Sequence, residues 1–323
     1  MPHIEKYCEE KMKLSAPLRP FLDWSVNTEW ERWTEVAVSL LGIPYSEHYS
    51  GEPRPNDQAS APEAIRRQSG KICDGPHTWD FDIGGPLESF LPNGGRDCGN
   101  LNPTTQSFDE YFSAAVEILK RQFASSKFSG ILGGDHGVTV PVVHALEAIG
   151  QPVHLVQIDA HMDWRDENRG VRRGYSSPMR RASELPWISG ITQIGIRGTG
   201  TIGAMEVEAA QDFGAKIITA REVHEGGLSP ILQHLDGKGP FYLTVDADGL
   251  DPSVMPAVIT PLPGGLRFDQ VLPIVRELAK AHLVGMDVVE VAPGVDLPNQ
   301  ITSITAGRLM VIAMVAALQF QNN

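Results

Sequence analysis

Six side chains that could hold metal ions follow directly after apolar, strand-like runs of the sequence. They are His136, Asp159, His161, Asp163, Asp246 and Asp248. Alternate residues of an extended chain project from one side, so the residues 159, 161 and 163 that follow the run 153–158 are expected to converge. The pair at 246 and 248 repeats this spacing after the run 241–245. Two glycines at 133–134 allow the sharp turn that brings the imidazole of residue 136 to the same place.

The charge of this set indicates two metal ions rather than one. Four carboxylates this close together cannot all stay ionised without cations, and they exceed the charge that one divalent ion balances. Oxygen and imidazole ligands without a thiolate suit Mn²⁺, which we expect, with Ni²⁺ as the alternative; Co²⁺ and Zn²⁺ also bind such sites. Singly, each motif has a simpler explanation, because Asp135 could cap a helix and residues 246–252 could form a turn. All three motifs together at strand ends favour a metal site.

The elements that position these residues are predicted from hydrophobic periodicity. Seven apolar or β-branched runs predict buried strands at 36–43, 129–132, 153–158, 191–196, 216–219, 241–245 and 283–289. Apolar residues at helical spacing predict helices near 108–119 and 268–279. This alternation implies an α/β fold with a mostly parallel sheet covered by helices on both faces. Ligands of such sheets bind beyond the carboxyl ends of the strands, where the six side chains lie.

The chain is predicted to form one large domain after an N-terminal extension. Residues 1–35 are the extension, packed on the domain by Phe21, Trp24 and Trp30, and residues 36–323 form the single catalytic domain. Segments 46–62 and 74–103, rich in Gly, Pro, Ser and Asn, predict long loops that border the site. The largely apolar stretch 309–318 predicts a buried helix or a subunit contact.

Composition excludes several classes of protein. Lys and Arg number 27 against 40 Asp and Glu, a net charge of -13 without a basic cluster, so no nucleic-acid partner is expected. The three cysteines have no paired spacing, which argues against a disulfide framework or a cysteine zinc site and favours a reducing compartment. The charged start lacks the apolar core of a signal peptide, and no apolar run looks long enough to span a bilayer. The prediction is a cytoplasmic protein without a membrane partner.

Three motifs resemble the signatures of the ureohydrolase superfamily, which includes arginases, agmatinases and guanidinobutyrases. They are Gly-Gly-Asp-His at 133–136, Asp-Ala-His-x-Asp at 159–163 and Asp-x-Asp-x-x-Asp-Pro at 246–252. The resemblance extends from about residue 36 to about residue 317. It implies a three-layer α/β/α fold of the arginase kind. It also implies a hydrolase that cleaves the C–N bond of a small guanidino substrate and releases urea and an amine.

The resemblance further implies a role for each residue. One ion would be bound by His136, Asp159, Asp163 and Asp246, and the other by His161, Asp159, Asp246 and Asp248. Asp159 and Asp246 would bridge the two ions. Glu290, after the run 283–289, is similar to the glutamate that binds the substrate guanidinium. Two cations would lower the pKa of a shared water toward neutrality so that hydroxide attacks the guanidinium carbon, and Asp163 would pass its proton to the departing nitrogen.

Tyr175 departs from the family, whose members usually have a histidine at this position. A phenol, with an ordinary pKa of about 10, cannot shuttle protons at pH 7, but it can donate a hydrogen bond to a developing charge. Tyr175 is therefore predicted to be catalytic and substrate-binding. Arg165 lies in the loop that contacts the amino-acid end of the substrate in arginases and could bind a carboxylate, although Asp166 and Glu167 could neutralise it. A guanidino acid, free guanidine, or an N-substituted guanidine or biguanide is preferred over arginine.

Two other functions stay open. A deacetylase of a related fold hydrolyses an amide at a single zinc with a tyrosine donor, which Tyr175 could supply, but a one-metal site does not need all six side chains. A non-catalytic subunit that keeps its metals and supports a paralogous partner would explain the missing histidine. The family resemblance suggests a homo-oligomer, a trimer or hexamer, with a hetero-oligomer containing a paralogue as the alternative.

Overall fold

A computed structural model describes residues 13–49, 57–102, 107–199 and 202–321 of the chain. Its strands are β1 (Leu14–Ser15), β2 (Ser25–Val26), β3 (Val36–Ile43), β4 (Trp79–Asp80), β5 (Gly85–Pro86), β6 (Arg96–Leu101), β7 (Ser126–Gly133), β8 (Val153–Ile158), β9 (Ile188–Ile196), β10 (Lys216–Thr219), β11 (Phe241–Asp246) and β12 (Leu283–Val289). Its α-helices are α1 (Ala61–Arg67), α2 (Ser69–Ile72), α3 (Phe108–Ala124), α4 (Thr139–Ala145), α5 (Pro178–Ser183), α6 (Ala204–Phe213), α7 (Ala220–Gly226), α8 (Ser229–Leu235), α9 (Phe268–Lys280) and α10 (Ile301–Gln321).

One large sheet organises the described chain. Its strands lie in the order β1-β6-β3-β7-β12-β11-β8-β9-β10, with β2 paired to β6. Apart from β1, which is antiparallel to β6, the strands of this sheet pair in parallel. Because β12 lies between β7 and β11, the carboxyl ends of β7, β12, β11 and β8 are adjacent. Residues that follow these four strands therefore meet at one edge.

Helices cover both faces of the sheet, so its central strands β8, β11 and β12 are buried on both sides. Neighbouring strand residues face opposite layers: Leu40 packs in the core beneath α9 and α10, and Leu41 packs in the core beneath α3, α4 and α5. All seven predicted strands and both predicted helices are present. The prediction of a three-layer α/β/α fold with a mostly parallel sheet is confirmed.

The helix α10 corrects one expectation from the sequence. Its segment Ile301–Phe320, 20 residues long, is apolar and long enough to cross a membrane, so the statement that no apolar run reaches that length was wrong. Helix α10 packs against α9, α1, α2, β12 and β7, and 83% of its most apolar stretch is buried inside the protein. A helix that is apolar all round has to be enclosed, and here the fold encloses it. The predicted buried helix at 309–318 is confirmed.

The segment 74–103 was wrongly predicted to be a long loop. It contains the small hairpin β4–β5 and the strand β6, all six residues of which are buried. Strands were predicted from apolar runs of the sequence, and β6 was missed because its sequence is polar. Its Asp97 accepts two hydrogen bonds from the guanidinium of Arg66, each 2.9 Å long, and Asn100 accepts a third. These bonds allow a polar strand to be buried.

The N-terminal segment is fastened to the edge of the sheet. Phe21 and Trp24 are buried and Trp30 is half-buried, while residues 1–12 of the predicted extension lie outside the described residues. The backbone N–H of Phe21 donates to Asp97 at 2.9 Å, which ties the segment to β6. The predicted loop 46–62 ends earlier than expected, because a 3-10 turn at Gln58–Ser60 leads into α1. The part of that loop at 50–56 lies outside the described residues.

Candidate metal centre

The first group of predicted ligands surrounds the imidazole of His136. This residue begins a 3-10 turn after β7, where Asp135 caps the turn by accepting the backbone N–H of Gly137. Its Nδ1 lies 2.9 Å from Asp163 Oδ2, 3.1 Å from Asp159 Oδ2 and 3.2 Å from Asp246 Oδ2. The strand ends of β7, β8 and β11 therefore deliver one nitrogen and three carboxylate oxygens to one place.

The second group lies beside the first. His161 Nδ1 is 3.1 Å from Asp248 Oδ2 and 3.6 Å from Asp159 Oδ1. Potential ligand atoms of His136, Asp159 and Asp246 lie within 4.8 Å of one another, and so do those of Asp159, His161 and Asp248. Asp159 thus belongs to both groups, with one carboxylate oxygen toward each. Asp246 belongs to the first group, and its Oδ1 accepts the backbone N–H of Asp248 at 2.8 Å. Its bridging role stays a prediction.

The surroundings of His136 Nδ1 indicate that this set of ligand atoms fits a cation. It is fully buried and faces three carboxylates, yet it has no hydrogen-bond partner. The other ring nitrogen, Nε2, lies 2.9 Å from the hydroxyl of Thr244, which fixes the orientation of the ring. Metal-binding histidines characteristically use one nitrogen as the ligand and hydrogen-bond the other. The arrangement therefore fits a metal ion between Nδ1 and the carboxylates.

The electrostatics of the two groups show a shortage of positive charge. The carboxylates are almost completely buried, and their ion pairs among the described residues are with His136 and His161. Burial and the charge of Asp159 raise the pKa of Asp163 to about 6, and burial also raises the pKa of Asp246. Burial opposes protonation of His161, but the adjacent carboxylates outweigh it and raise its pKa to about 12. Divalent cations would supply the missing charge.

A relay of buried side chains holds the shared carboxylate of Asp159. Trp164 Nε1 donates to Gln193 at 2.8 Å, Gln193 donates to Gln157 at 2.5 Å, and Gln157 donates to Asp159 Oδ2 at 2.5 Å. Sequence reasoning did not single out the two glutamines. The signal was present, because each is an amide within a run predicted to be a buried strand, and a buried amide needs partners.

Arg197 fixes the backbone that carries Asp248. It follows β9, and its Nη2 donates to the carbonyl oxygens of Asp248 and Leu262, both at 2.6 Å. The carboxylate of Asp248 also accepts the backbone N–H of Ala160 at 3.1 Å. A guanidinium shared between two carbonyls positions the loop after β11 without competing for the carboxylates.

Glu290 directly follows β12, whose end lies between the ends of β7 and β11. It is a non-glycine residue with a positive φ of 62°, and its carboxylate is held from two sides. Oε1 accepts the backbone N–H of His136 at 2.7 Å, and Oε2 accepts the amide of Gln58 at 2.5 Å. Burial and the charge of Asp135 raise the pKa of Glu290 to about 8. The predicted guanidinium-binding residue thus adjoins the first ligand group through the backbone of His136.

Tyr175 and Arg165 lie on one loop that leads away from Asp163. The backbone N–H of Arg165 donates to the carbonyl of Ser176 at 3.0 Å, and the ring of Tyr175 packs edge-on against Tyr49 with a 4.8 Å centroid separation. Tyr49 in turn accepts the backbone N–H of Ser176 at 3.1 Å. Tyr49 was not predicted, and no sequence signal indicated it, because it comes from a distant irregular segment.

The fold and the site together define an α/β/α protein with a cluster of Asp and His at the carboxyl edge of its sheet. The sequence profile of the Arginase family matches residues 36–316, so the chain belongs to the arginase family. The prediction of a ureohydrolase, a class of hydrolase acting on C–N bonds of linear amidines, is confirmed at this level.

Several relatives resemble the chain over most of its length. An agmatinase from Chromobacterium violaceum is 32% identical over 296 residues, which cover 85% of this chain and 81% of that protein. The proclavaminate amidinohydrolase of Streptomyces clavuligerus is 32% identical over 274 residues, which cover 83% and 84%. A solved structure of proclavaminate amidino hydrolase from S. clavuligerus has a TM-score of 0.80 at 28% identity and covers 94% of this chain and 98% of that chain.

Proposed function

We propose that this protein uses two divalent metal ions to hydrolyse the C–N bond of a small guanidino compound, releasing urea and an amine. One observation carries the proposal: two ligand groups share Asp159, and the buried carboxylate of Glu290 adjoins the first group. A carboxylate fixed beside a cation site is suited to a substrate that carries its own positive charge. The oxygen and imidazole donors favour Mn²⁺, with Ni²⁺ as the alternative.

Each side chain of the site has a separate task. Cations held by the two groups would supply the charge that makes a water molecule nucleophilic at neutral pH. Glu290 binds and orients the guanidinium by charge-assisted hydrogen bonds. Asp163 accepts a proton from the attacking water at a carboxylate oxygen and delivers it to the departing nitrogen. Tyr175 donates its hydroxyl hydrogen to the charge that develops on the substrate.

The proposed substrate class is supported by the relatives and by the chemistry of Arg165 and Tyr175. The relatives named agmatinase and proclavaminate amidinohydrolase support a guanidino substrate in general. Arg165, on the loop tethered to Ser176, is suited to the carboxylate of a guanidino acid. The ring of Tyr175, which packs edge-on against the buried Tyr49, would offer aromatic surface to a planar guanidine or biguanide. We therefore rank guanidino acids, guanidine and N-substituted guanidines or biguanides above arginine.

The test is a urea-release screen over these compounds with protein reconstituted separately with Mn²⁺ and with Ni²⁺. We expect turnover of at least one compound by the purified chain, with about two metal ions per chain in the most active form. Urea release from none of them would refute the proposal. One metal per chain with hydrolysis of an acetylated amine would instead support the single-metal deacetylase, which the tyrosine at 175 keeps in view. Turnover that appears only with a paralogous partner would support a non-catalytic subunit.

Two further expectations belong to this proposal. We propose a homo-oligomer, a trimer or hexamer, in which each chain carries its own site, and a hetero-oligomer with a paralogue is the alternative. We also propose a cytoplasmic location, since Cys73 and Cys98 are free thiols among the described residues. Sedimentation of the purified protein and fractionation of cells test the two statements.

A further inference from the structure

The backbone of Glu290 is held in a conformation that this residue type rarely adopts. Its φ of 62° lies in the left-handed region, which is strained for a residue with a Cβ and persists only where the surroundings hold it there. The backbone N–H of Glu290 donates to the carbonyl of Gly134 at 2.9 Å. Together with the bond from His136 N–H to Oε1, this fixes the backbone and one carboxylate oxygen. The second oxygen needs a further partner.

That partner comes from a different part of the chain. Gln58, which is 3% exposed, donates its amide to Glu290 Oε2 at 2.5 Å across 232 residues of sequence. The preceding residue, Asp57, accepts the backbone N–H of Gly294, four residues after Glu290. Two consecutive residues of one turn therefore contact both ends of the segment 290–294.

The turn that carries Gln58 is itself firmly supported. Its residues Gln58–Ser60 form a 3-10 turn that runs directly into α1, and the hydroxyl of Ser60 donates to the carbonyl of Asp57 at 2.8 Å. At the other end of α1, Arg66 is anchored on Asp97 by paired 2.9 Å bonds. Because this turn is held in place, the Gln58 side chain can keep the Glu290 carboxylate in the narrow range of orientations that oriented binding requires.

We propose that Gln58 is a positioning residue that sets the plane of the Glu290 carboxylate and thereby its affinity for a guanidinium group. The inference rests on the proposed function, in which Glu290 binds that group. Gln58 and the His136 N–H each use one lone pair of a different oxygen. A carboxylate oxygen accepts more than one hydrogen bond, so each oxygen of Glu290 keeps a lone pair for an N–H group of a guanidinium.

The first test replaces Gln58 by methionine, which keeps the length of the side chain and removes the donor. Gln122→Met is the matched control, because Gln122 is a fully buried glutamine that donates to Ser39 and Gly130, away from the site. We expect Gln58→Met to weaken the binding of guanidinium chloride to the metal-reconstituted protein by about tenfold and to raise KM similarly, with a smaller change in kcat. Metal content and unfolding midpoint should match those of the control.

A double-mutant cycle with Glu290→Gln then shows whether Gln58 acts through Glu290. Glu290→Gln alone should weaken guanidinium binding by about a hundredfold, and adding Gln58→Met should weaken it little further. Independent, multiplied losses would overturn the inference, as would a Gln58→Met variant that binds like the control. If Gln58→Met does not fold, Gln58→Asn keeps the amide but shortens its reach and should show the same loss. A parent protein that neither binds guanidinium nor releases urea would overturn the proposed function and the inference together.

Discussion

The two carboxylate oxygens of Asp159 have different partners in the site. One of its oxygens faces His136 and the other lies nearer His161, while Gln157 and the backbone N–H of His161 each occupy a lone pair. Asp248, by contrast, belongs to one ligand group. The two aspartates look equivalent in the sequence, but in the structure Asp159 belongs to two ligand groups and Asp248 to one.

This difference leads to a prediction about metal content. Asp159→Ala should lose both ions, because it removes a ligand from each group, whereas Asp248→Ala should lose mainly one. Elemental analysis of the purified variants measures the metal per chain. Asp251→Asn serves as the control, since Asp251 accepts the backbone N–H groups of Gly264 and Gly265 and belongs to neither group. Equal losses in the two alanine variants would contradict the shared role of Asp159.

Tyr175 carries a second prediction at the level of one hydroxyl group. Tyr175→Phe should lower kcat by about ten- to a thousandfold while the metal content stays intact, because the donor to the developing charge is lost. Its ring contact with Tyr49 is kept in this variant. Tyr111→Phe is the control, since it deletes a hydroxyl that donates to the carbonyl of Tyr45. If Tyr175→Phe turns over as fast as this control, Tyr175 contributes packing alone.

The sequence predicted the clustering of the six Asp and His side chains, but not every neighbour that holds them. Strand ends with alternate polar residues indicate convergence, because parallel strands bring their carboxyl ends together. Gln58 and Tyr49 are different: both stand in turns or irregular segments, and their positions depend on tertiary contacts with residues more than a hundred positions away. No periodicity encodes such contacts, so sequence reasoning could not find them.

At the scale of elements, β6 and α1 form a polar unit inside an apolar fold. Their contact is the ion pair of Arg66 with Asp97, in which both side chains are completely buried. The strands with apolar runs were predicted correctly because burial and hydrophobicity agree in them. Strand β6 was missed because its burial depends on a partner from another element, which a local pattern does not reveal.

The ion pair predicts a large and specific effect on stability. Asp97→Asn leaves the guanidinium of Arg66 buried without a counter-charge and should destabilise the protein by about 3–5 kcal/mol. Urea-induced unfolding measures the change. The paired replacement Arg66→Met with Asp97→Leu removes both charges and should recover much of this loss, although Asn100 and the Phe21 N–H lose a partner. A double variant no more stable than Asp97→Asn would show that the charges themselves are not responsible.

At the scale of the whole molecule, the candidate metal centre joins four neighbouring strands through their ends. Strands β7, β12, β11 and β8 are adjacent, and residues after each of them take part in the site. Buried carboxylates at these ends repel one another when no cation separates them. The predicted ions would therefore help to hold the centre of the sheet together in addition to their proposed role in catalysis.

Removal of metal should consequently lower global stability. Removal of the metal ions with a chelator should lower the midpoint of thermal unfolding by about 5–10 °C relative to the metal-saturated protein. Addition of Mn²⁺ should restore the midpoint. Differential scanning calorimetry measures the midpoint. Asp159→Ala should show little response to either treatment. A chelated parent protein that unfolds at the same temperature would contradict the contribution of the ions.

The central place of β12 in the sheet also bears on how the protein is made. In chain order β12 follows every other strand, yet it fills the gap between β7 and β11 and supplies Glu290. During translation, the earlier strands leave the ribosome with two open sheet edges and with an uncovered face that α10 later occupies. These edges and this face would engage chaperones until the last segments emerge. The first ligand group takes His136 from the end of β7 and Asp246 from the end of β11, so it is complete only after β12 has been inserted between them.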